Sequence, residues 1–167
     1  MRKLHYLLVL IIIVFLTGCD KDENKINDSD VPAGYVDLGL PSGTKWKSSD
    51  ENGNGTGLYD FDEAVSIFSN QLPSKEQLEE LITCCTWTWQ NNNSCKVTGK
   101  NGNSITLSAM GFRNCYGNVY YVGYMGSYWS STPSSSESAW DLYLNSSDQG
   151  LSRSTRCDGR SIRLVYN

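Results

Sequence analysis

Histidine is the most frequent general acid or base in enzymes, and this chain of 167 residues has one, His5, in a segment that reads as a cleaved leader. Ser-His-Asp and Cys-His nucleophile pairs, histidine general bases and histidine-containing zinc sites are therefore not expected in the folded part. Carboxylates are the remaining route to acid–base catalysis. They cluster as Asp60, Asp62 and Glu63 and as Glu76, Glu79 and Glu80, where helix starts and solvated helix faces place acids. The six cysteines, Cys19, Cys84, Cys85, Cys95, Cys115 and Cys157, contain no Cys-x-x-Cys spacing, so a metal site is not expected either. The expectation is a binding protein with no catalytic residues, no cofactor and no metal.

The candidate contact residues are polar and lie near the C-terminus. Ala139–Asn145 alternates, with Trp140, Leu142 and Leu144 on one face and Asp141, Tyr143 and Asn145 on the other. Ser152–Asp158 reads as a loop leading to the last strand and carries Arg153, Arg156 and Asp158. Tyr and Arg are common interface anchors, and Asn and Ser give adaptable hydrogen bonds. A solvated strand face with an ordinary loop stays open as the alternative. Trp87 and Trp89 share a strand face and fit either a stacking platform for sugar rings or, with better odds, the core. Trp129 and Trp140 fall in patterned blocks and are expected to be buried. Of the adjacent pair, Cys85 is expected inside and Cys84 outside.

Two helices and many short strands must position these residues. Asp60 with Glu63 three residues later starts a helix over roughly 61–70, and Ser74 with Gln77 starts a second. Strands are expected at Tyr35–Leu38, around Trp46, at Thr86–Gln90, Cys95–Thr98, Ser104–Ser108, Gly111–Arg113, Tyr128–Ser130 and Ala139–Asn145, and at the C-terminus, where Ile162 and Leu164 oppose Arg163 and Val165. The class is α+β, a single domain with a mostly antiparallel sheet in which the first and last strands can pair.

The N-terminus sets the compartment. Arg2 and Lys3 precede an apolar run, Leu7 to Leu16, about half the roughly 20 residues a spanning helix needs, so residues 1–18 read as a signal peptide. Leu16-Thr17-Gly18-Cys19 resembles the bacterial lipobox, which makes Cys19 the expected lipidation site. Residues 19–34 follow as a polar tether, and residues 35–167 form the domain. Lys21-Asp22-Glu23 resembles the surface-export signal of lipoproteins in the Bacteroidetes lineage, with an ordinary charged, solvated spacer as the alternative. Loss of Arg2 and Lys3 leaves 12 basic against 18 acidic residues, a net charge of −6, which disfavours nucleic acid and anionic lipid as general partners. The membrane is expected to be reached through the lipid anchor alone.

Five ordered blocks carry a family resemblance. They are Tyr35–Trp46 (YVDLGLPSGTKW), Leu72–Leu81 (LPSKEQLEEL), Cys85–Trp89 (CTWTW), Tyr128–Pro133 (YWSSTP) and Gly159–Val165 (GRSIRLV). The chain resembles, over about residues 35–166, the Fibrobacter succinogenes major paralogous domain family of exported proteins. That resemblance implies a C-type lectin-like fold with two helices and a twisted sheet whose ends meet, and no established enzyme activity. The C-terminal blocks are also similar to lectin-fold variable proteins of diversity-generating retroelements, in which residues between such blocks are diversified. Neither a Glu-Pro-Asn or Gln-Pro-Asp pair nor a Trp-Asn-Asp triplet is present, so calcium-dependent sugar binding is not implied. The expected function is that of an envelope- or surface-anchored lipoprotein, most naturally in the outer membrane. It would recognise a protein or glycan through its C-terminal strand and loop. A structural subunit of a surface assembly such as a fimbrial tip is the alternative.

Overall fold

A computed structural model describes residues 31–167. The expected signal peptide, Cys19 and most of the tether lie outside the described residues. The tether's last residues do not: Tyr35 N–H bonds the Pro32 carbonyl and Ser48 N–H bonds that of Gly34, so the folded part begins a little before Tyr35.

Both helices start where their caps place them. Asp60 Oδ1 accepts from Glu63 N–H at 2.8 Å and opens α1, Phe61–Phe68. A 3-10 turn, Ser69–Gln71, follows. Ser74 and Gln77 satisfy each other's backbone N–H groups in a full capping box at the start of α2, Lys75–Cys84. Such a box removes two unpaired donors from the helix end. Glu76, in that first turn, has its carboxyl pKa lowered by a backbone N–H and by Ser74.

Among the described residues, eleven strands make four antiparallel sheets. β1 (Tyr35–Asp37) and β11 (Val165–Tyr166) both pair with β2 (Lys45–Lys47). The first and last strands thus share a sheet, but β2 lies between them and they do not pair directly. β3 (Thr86–Gln90), β4 (Ser94–Thr98) and β5 (Ser104–Ser108) form a meander. β6 (Phe112–Arg113) and β7 (Val119–Tyr120) form a short hairpin. The largest sheet is β8 (Met125–Pro133), β9 (Ser138–Asn145) and β10 (Gln149–Thr155), with a bulge in β8 between Trp129 and Pro133.

That last sheet is covered on both faces, because consecutive strand residues point to opposite sides. Tyr128, Leu142 and Leu144 pack with Leu78 and Leu81 of α2, with Trp46, and with Val97 and Leu107 of the meander. Trp129 and Ala139 pack with Tyr59, Phe61 and Ala64 of the α1 region and with Ile162 and Leu164. Trp87 and Trp89 are half-buried against the first cluster and form no exposed platform. Cys84 and Cys85 are both half-buried, so the expected inside–outside division between them does not hold.

Two sequence expectations are corrected here. Ser152–Asp158 is a loop only in its last three residues: Ser152–Thr155 belong to a seven-residue strand, residues 149–155, in continuous register with β9, and Arg156–Asp158 form the turn that follows it. Trp140 is half-buried, not buried: its ring meets the Lys75 ammonium at 4.8 Å and the Arg153 guanidinium at 4.7 Å instead of an apolar core. The segment 160–165 is buried whichever way each side chain points, Arg163 included.

Candidate binding face

The expected contact residues separate into three environments. Asp141 is only 1% exposed. Its carboxylate accepts from Ser127 Oγ (2.7 Å), Ser152 Oγ (2.8 Å) and Ser154 Oγ (2.9 Å), and lies 3.8 Å from Arg160 Nε. A carboxylate held this way anchors the interior and cannot meet a ligand. Asn145 Oδ1 accepts from the backbone N–H groups of Ser147 and Asp148 and so closes the turn between β9 and β10. Tyr143 donates its hydroxyl to Asp148 at 2.8 Å, and that bond raises the phenol's pKa.

The charged residues at the end of β10 are similarly engaged. Arg156 pairs with Asp62, donates to the Ser136 carbonyl and lies 4.8 Å from the Phe61 ring. A shallow cleft of about 480 Å³ opens beside it, lined by Asp62, Glu137 and Cys157. Asp158 accepts from Arg160 Nη2 at 3.1 Å. Arg153 alone is exposed, lying over Trp140. Cys115, Cys157 and Asp158 come together, but the two cysteines form a disulfide and offer no thiolate to a metal.

Arg160 links this buried seam to the surface. Besides its ion pair with Asp141 and its bond to Asp158, it donates to Ser154 Oγ at 2.8 Å. Its guanidinium lies 4.4 Å from the Phe112 ring centroid and 5.7 Å from that of Trp129. Burial lowers its pKa, and Asp141 and Asp158 oppose that shift; an arginine remains a cation throughout the accessible range. A desolvated cation against an aromatic face contributes about 2 kcal/mol, which fixes the Phe112 ring from beneath.

Above Phe112 lies the feature the sequence reading did not single out. The tyrosines that follow it are exposed: Tyr116 90%, Tyr124 76%, Tyr121 61% and Tyr120 44%. Val119 and Val122 are exposed among them. From Asn114 to Gly126 there is no Asp, Glu, Lys or Arg. The Phe112 ring stands 5.7 Å from Tyr120 and 6.0 Å from Tyr121, the latter pair stacked.

The backbone under these side chains is firmly tied. Asn114 Oδ1 accepts from Tyr116 and Asn118 N–H and shapes the tip. Gly123 N–H bonds the Ala109 carbonyl at 2.7 Å. Arg113 and Gly159 exchange both backbone hydrogen bonds, and the Cys115–Cys157 disulfide adds a covalent link beside them. Tyr121 has φ 58°, a left-handed conformation that a bulky residue rarely takes. Such strain persists where the surroundings over-determine it and concentrates at functional sites. The C-terminal turn that carries Asp158 is thus tied to this hairpin by hydrogen bonds and a disulfide.

A second cleft, of about 350 Å³, opens between the Ser48–Asn52 loop, β5 and residues 161–163. Arg163 Nη2 lies 2.6 Å from Asp50 Oδ1, an ion pair off the line of a hydrogen bond, while Nη1 and Nη2 donate to the Lys47 and Thr106 carbonyls. Tyr128 donates to the Ser108 carbonyl at 2.8 Å and faces Asp50. Its burial, reinforced by Asp50, raises the phenol's pKa well above the usual value.

Compared with known protein families, with curated proteins and with solved structures, the chain matches none.

Proposed function

We propose that this protein is an exported, lipid-anchored binding module of the bacterial envelope that recognises a protein partner through the tyrosine hairpin, residues 112–124. The observation that carries this reading is the exposed run of tyrosine and valine with no charged residue from Asn114 to Gly126. Interface centres are depleted of charge and enriched in tyrosine. Tyrosine gives large contact area at low entropic cost because only two torsions are fixed. The valines favour protein over glycan, since sugar hydroxyls have no partner on an aliphatic surface. Export and anchoring are supported by the apolar leader, the lipobox-like Leu16–Cys19 and the resemblance to exported lectin-like domains.

The test replaces Tyr116, Tyr121 and Tyr124 with serine and compares wild type and variant on arrayed envelope proteins and on a glycan array. The expected result is an unchanged unfolding midpoint with selective loss of one protein signal. Retention of that signal, or a glycan signal that the variant loses instead, overturns the protein reading. Concentration-dependent self-association lost in the variant favours the structural-subunit alternative.

A further inference from the structure

We propose that Asn52 is a site of spontaneous covalent modification, at which the Gly53 main-chain nitrogen closes on the Asn52 side chain and converts the residue to isoaspartate and aspartate. The site lies on the loop that rims the second cleft and depends on neither the tyrosine hairpin nor the anchor. Asparagine followed by glycine is the pair most open to this reaction, because a residue without Cβ leaves the attacking nitrogen uncrowded. The chain has three such pairs, Asn52-Gly53, Asn54-Gly55 and Asn101-Gly102. All six residues are exposed, so access to water does not distinguish them. Hydrogen bonding separates them.

The Gly53 N–H gives its proton to hydroxide, and the nitrogen attacks Asn52 Cγ. An N–Cγ bond forms and closes a succinimide ring; the Cγ–Nδ2 bond breaks, and the amide nitrogen takes a proton from water and leaves as ammonia. A water molecule then opens the ring. Addition at the side-chain carbonyl gives aspartate, and addition at the main-chain carbonyl gives isoaspartate, whose chain runs through Cγ. One water enters and one ammonia leaves, so neither an oxidant nor an enzyme is needed.

Two of the three pairs are held against this reaction. Asn54 Oδ1 accepts from Thr56 N–H at 3.0 Å and Gly57 N–H at 2.9 Å, its Nδ2 donates to the Leu58 carbonyl, and Gly55 N–H bonds the Asn52 carbonyl. Asn101 Oδ1 accepts from Asn103 N–H at 3.1 Å, its Nδ2 donates to the Asp37 carbonyl, and Gly102 N–H bonds that of Gly99. In both, side chain and nucleophile must leave their partners before they can meet, which requires local opening. At the remaining pair, among the described residues, neither the Asn52 side-chain amide nor the Gly53 N–H has a hydrogen-bond partner. The loop itself is tied on either side, by Glu51 N–H to the Ile162 carbonyl and by Asn54 N–H to the Tyr59 hydroxyl. Modification therefore alters a built surface. The new carboxylate joins Asp50 and Glu51 beside a cleft whose only lining cation, Arg163, is paired with Asp50. Isoaspartate also lengthens the main chain between the two ties.

The experiment incubates the purified full-length chain in detergent and mildly alkaline buffer, folded in one arm and unfolded in urea in the other. Peptide mass spectrometry follows the three pairs, and electron-transfer fragmentation separates isoaspartate from aspartate and Asn52 from Asn54. In the folded chain Asn52 is expected to convert at least about tenfold faster than Asn54 or Asn101, whose hydrogen bonds must first open. In urea the three rates should converge, because the adjoining glycine is common to all. Gly53→Ala tests the nucleophile. A Cβ there would meet only the Tyr59 hydroxyl, at 3.5 Å, an ordinary contact, so the variant should fold as the parent does. It should slow conversion at Asn52 by about tenfold and leave Asn54 and Asn101 unchanged. The proposal is overturned if Asn54 or Asn101 converts as fast as Asn52 in the folded chain, if folding slows Asn52 as much as it slows them, or if Gly53→Ala leaves the rate at Asn52 unchanged.

Discussion

Asp141 shows how one residue can be misread at the level of pattern and understood at the level of bonding. In Ala139–Asn145 it alternates with Trp140, Leu142 and Leu144, so polarity alone points it to solvent. The structure surrounds it instead with three serine hydroxyls and Arg160. Serine on a neighbouring strand is silent about direction, because it suits both water and a buried carboxylate. Asp141→Ala is expected to lower stability by about 3–5 kcal/mol, since it leaves the Arg160 charge buried with one less partner. Tyr143→Ala, which loses one exposed hydrogen bond, should cost less than about 1.5 kcal/mol. Equal losses in urea unfolding would show that the seam contributes nothing special. Cys85 gives a second prediction. Burial, and next the Glu80 charge, push its thiol up to about 11. Because the folded value is raised, its contribution to stability is complete below the ordinary thiol value of 9.0 and is lost as pH rises from there through about 11. Alkylation of Cys85 in the folded protein, followed by peptide mass spectrometry, should be slow at pH 8 and accelerate only toward pH 11; rapid labelling at pH 8 would contradict this environment.

Among the elements, the hairpin of β6 and β7 makes its closest backbone approach at one glycine. Gly111 has φ +68°, and a Cβ there would stand 1.9 Å from the Tyr120 carbonyl oxygen. Main chain cannot yield that distance cheaply, so Gly111→Ala should detach the hairpin from β8 while the two hydrophobic clusters persist. Limited proteolysis would then cut between Asn114 and Tyr124 in the variant and not in the parent; equal resistance would show the hairpin to be held without this close approach. The sequence disclosed the helices well because their signals are local: Asp60 with Glu63 and Ser74 with Gln77 specify their own termini. The strands with alternating apolar residues, such as β5 and β9, were legible for the same reason. β10 was not, because its inward residues Ser152 and Ser154 face a carboxylate and not a core, which removes the hydrophobic period that marks a strand. The tyrosine hairpin escaped as well. No element is expected from the sequence between Arg113 and Tyr128, and the tertiary placement of Phe112 against Arg160 shows that the tyrosines after it face solvent. The absence of charge from Asn114 to Gly126 was the available sequence signal.

For the whole molecule, the question is how an acidic domain with an exposed tyrosine face is held at a surface. The described fold closes on itself: β1 and β11 flank β2, so the chain enters and leaves through one small sheet. No helix among the described residues is long and apolar enough to cross a membrane. A net charge of −6 for the chain after residue 18 repels anionic headgroups and gives the domain no electrostatic hold of its own. The residues between Cys19 and the first turn at Pro32 are dominated by Asp, Lys, Asn and Glu, too polar to bury in lipid. On the proposed anchoring, acyl chains on Cys19 would supply the membrane affinity, at about 0.8 kcal/mol per buried methylene, and two or more chains would make it effectively permanent. Cys19→Ala should therefore move the protein from the membrane pellet to the soluble fraction while any tyrosine-dependent binding persists, because the proposed anchor and the proposed recognition face are far apart in sequence and chemically independent. Fractionation of cells expressing the variant, with the soluble product assayed beside detergent-extracted wild type, separates the two. A variant that still pellets with membranes would mean that the tether or the domain binds lipid directly, and the assignment of Cys19 as the anchor would fall.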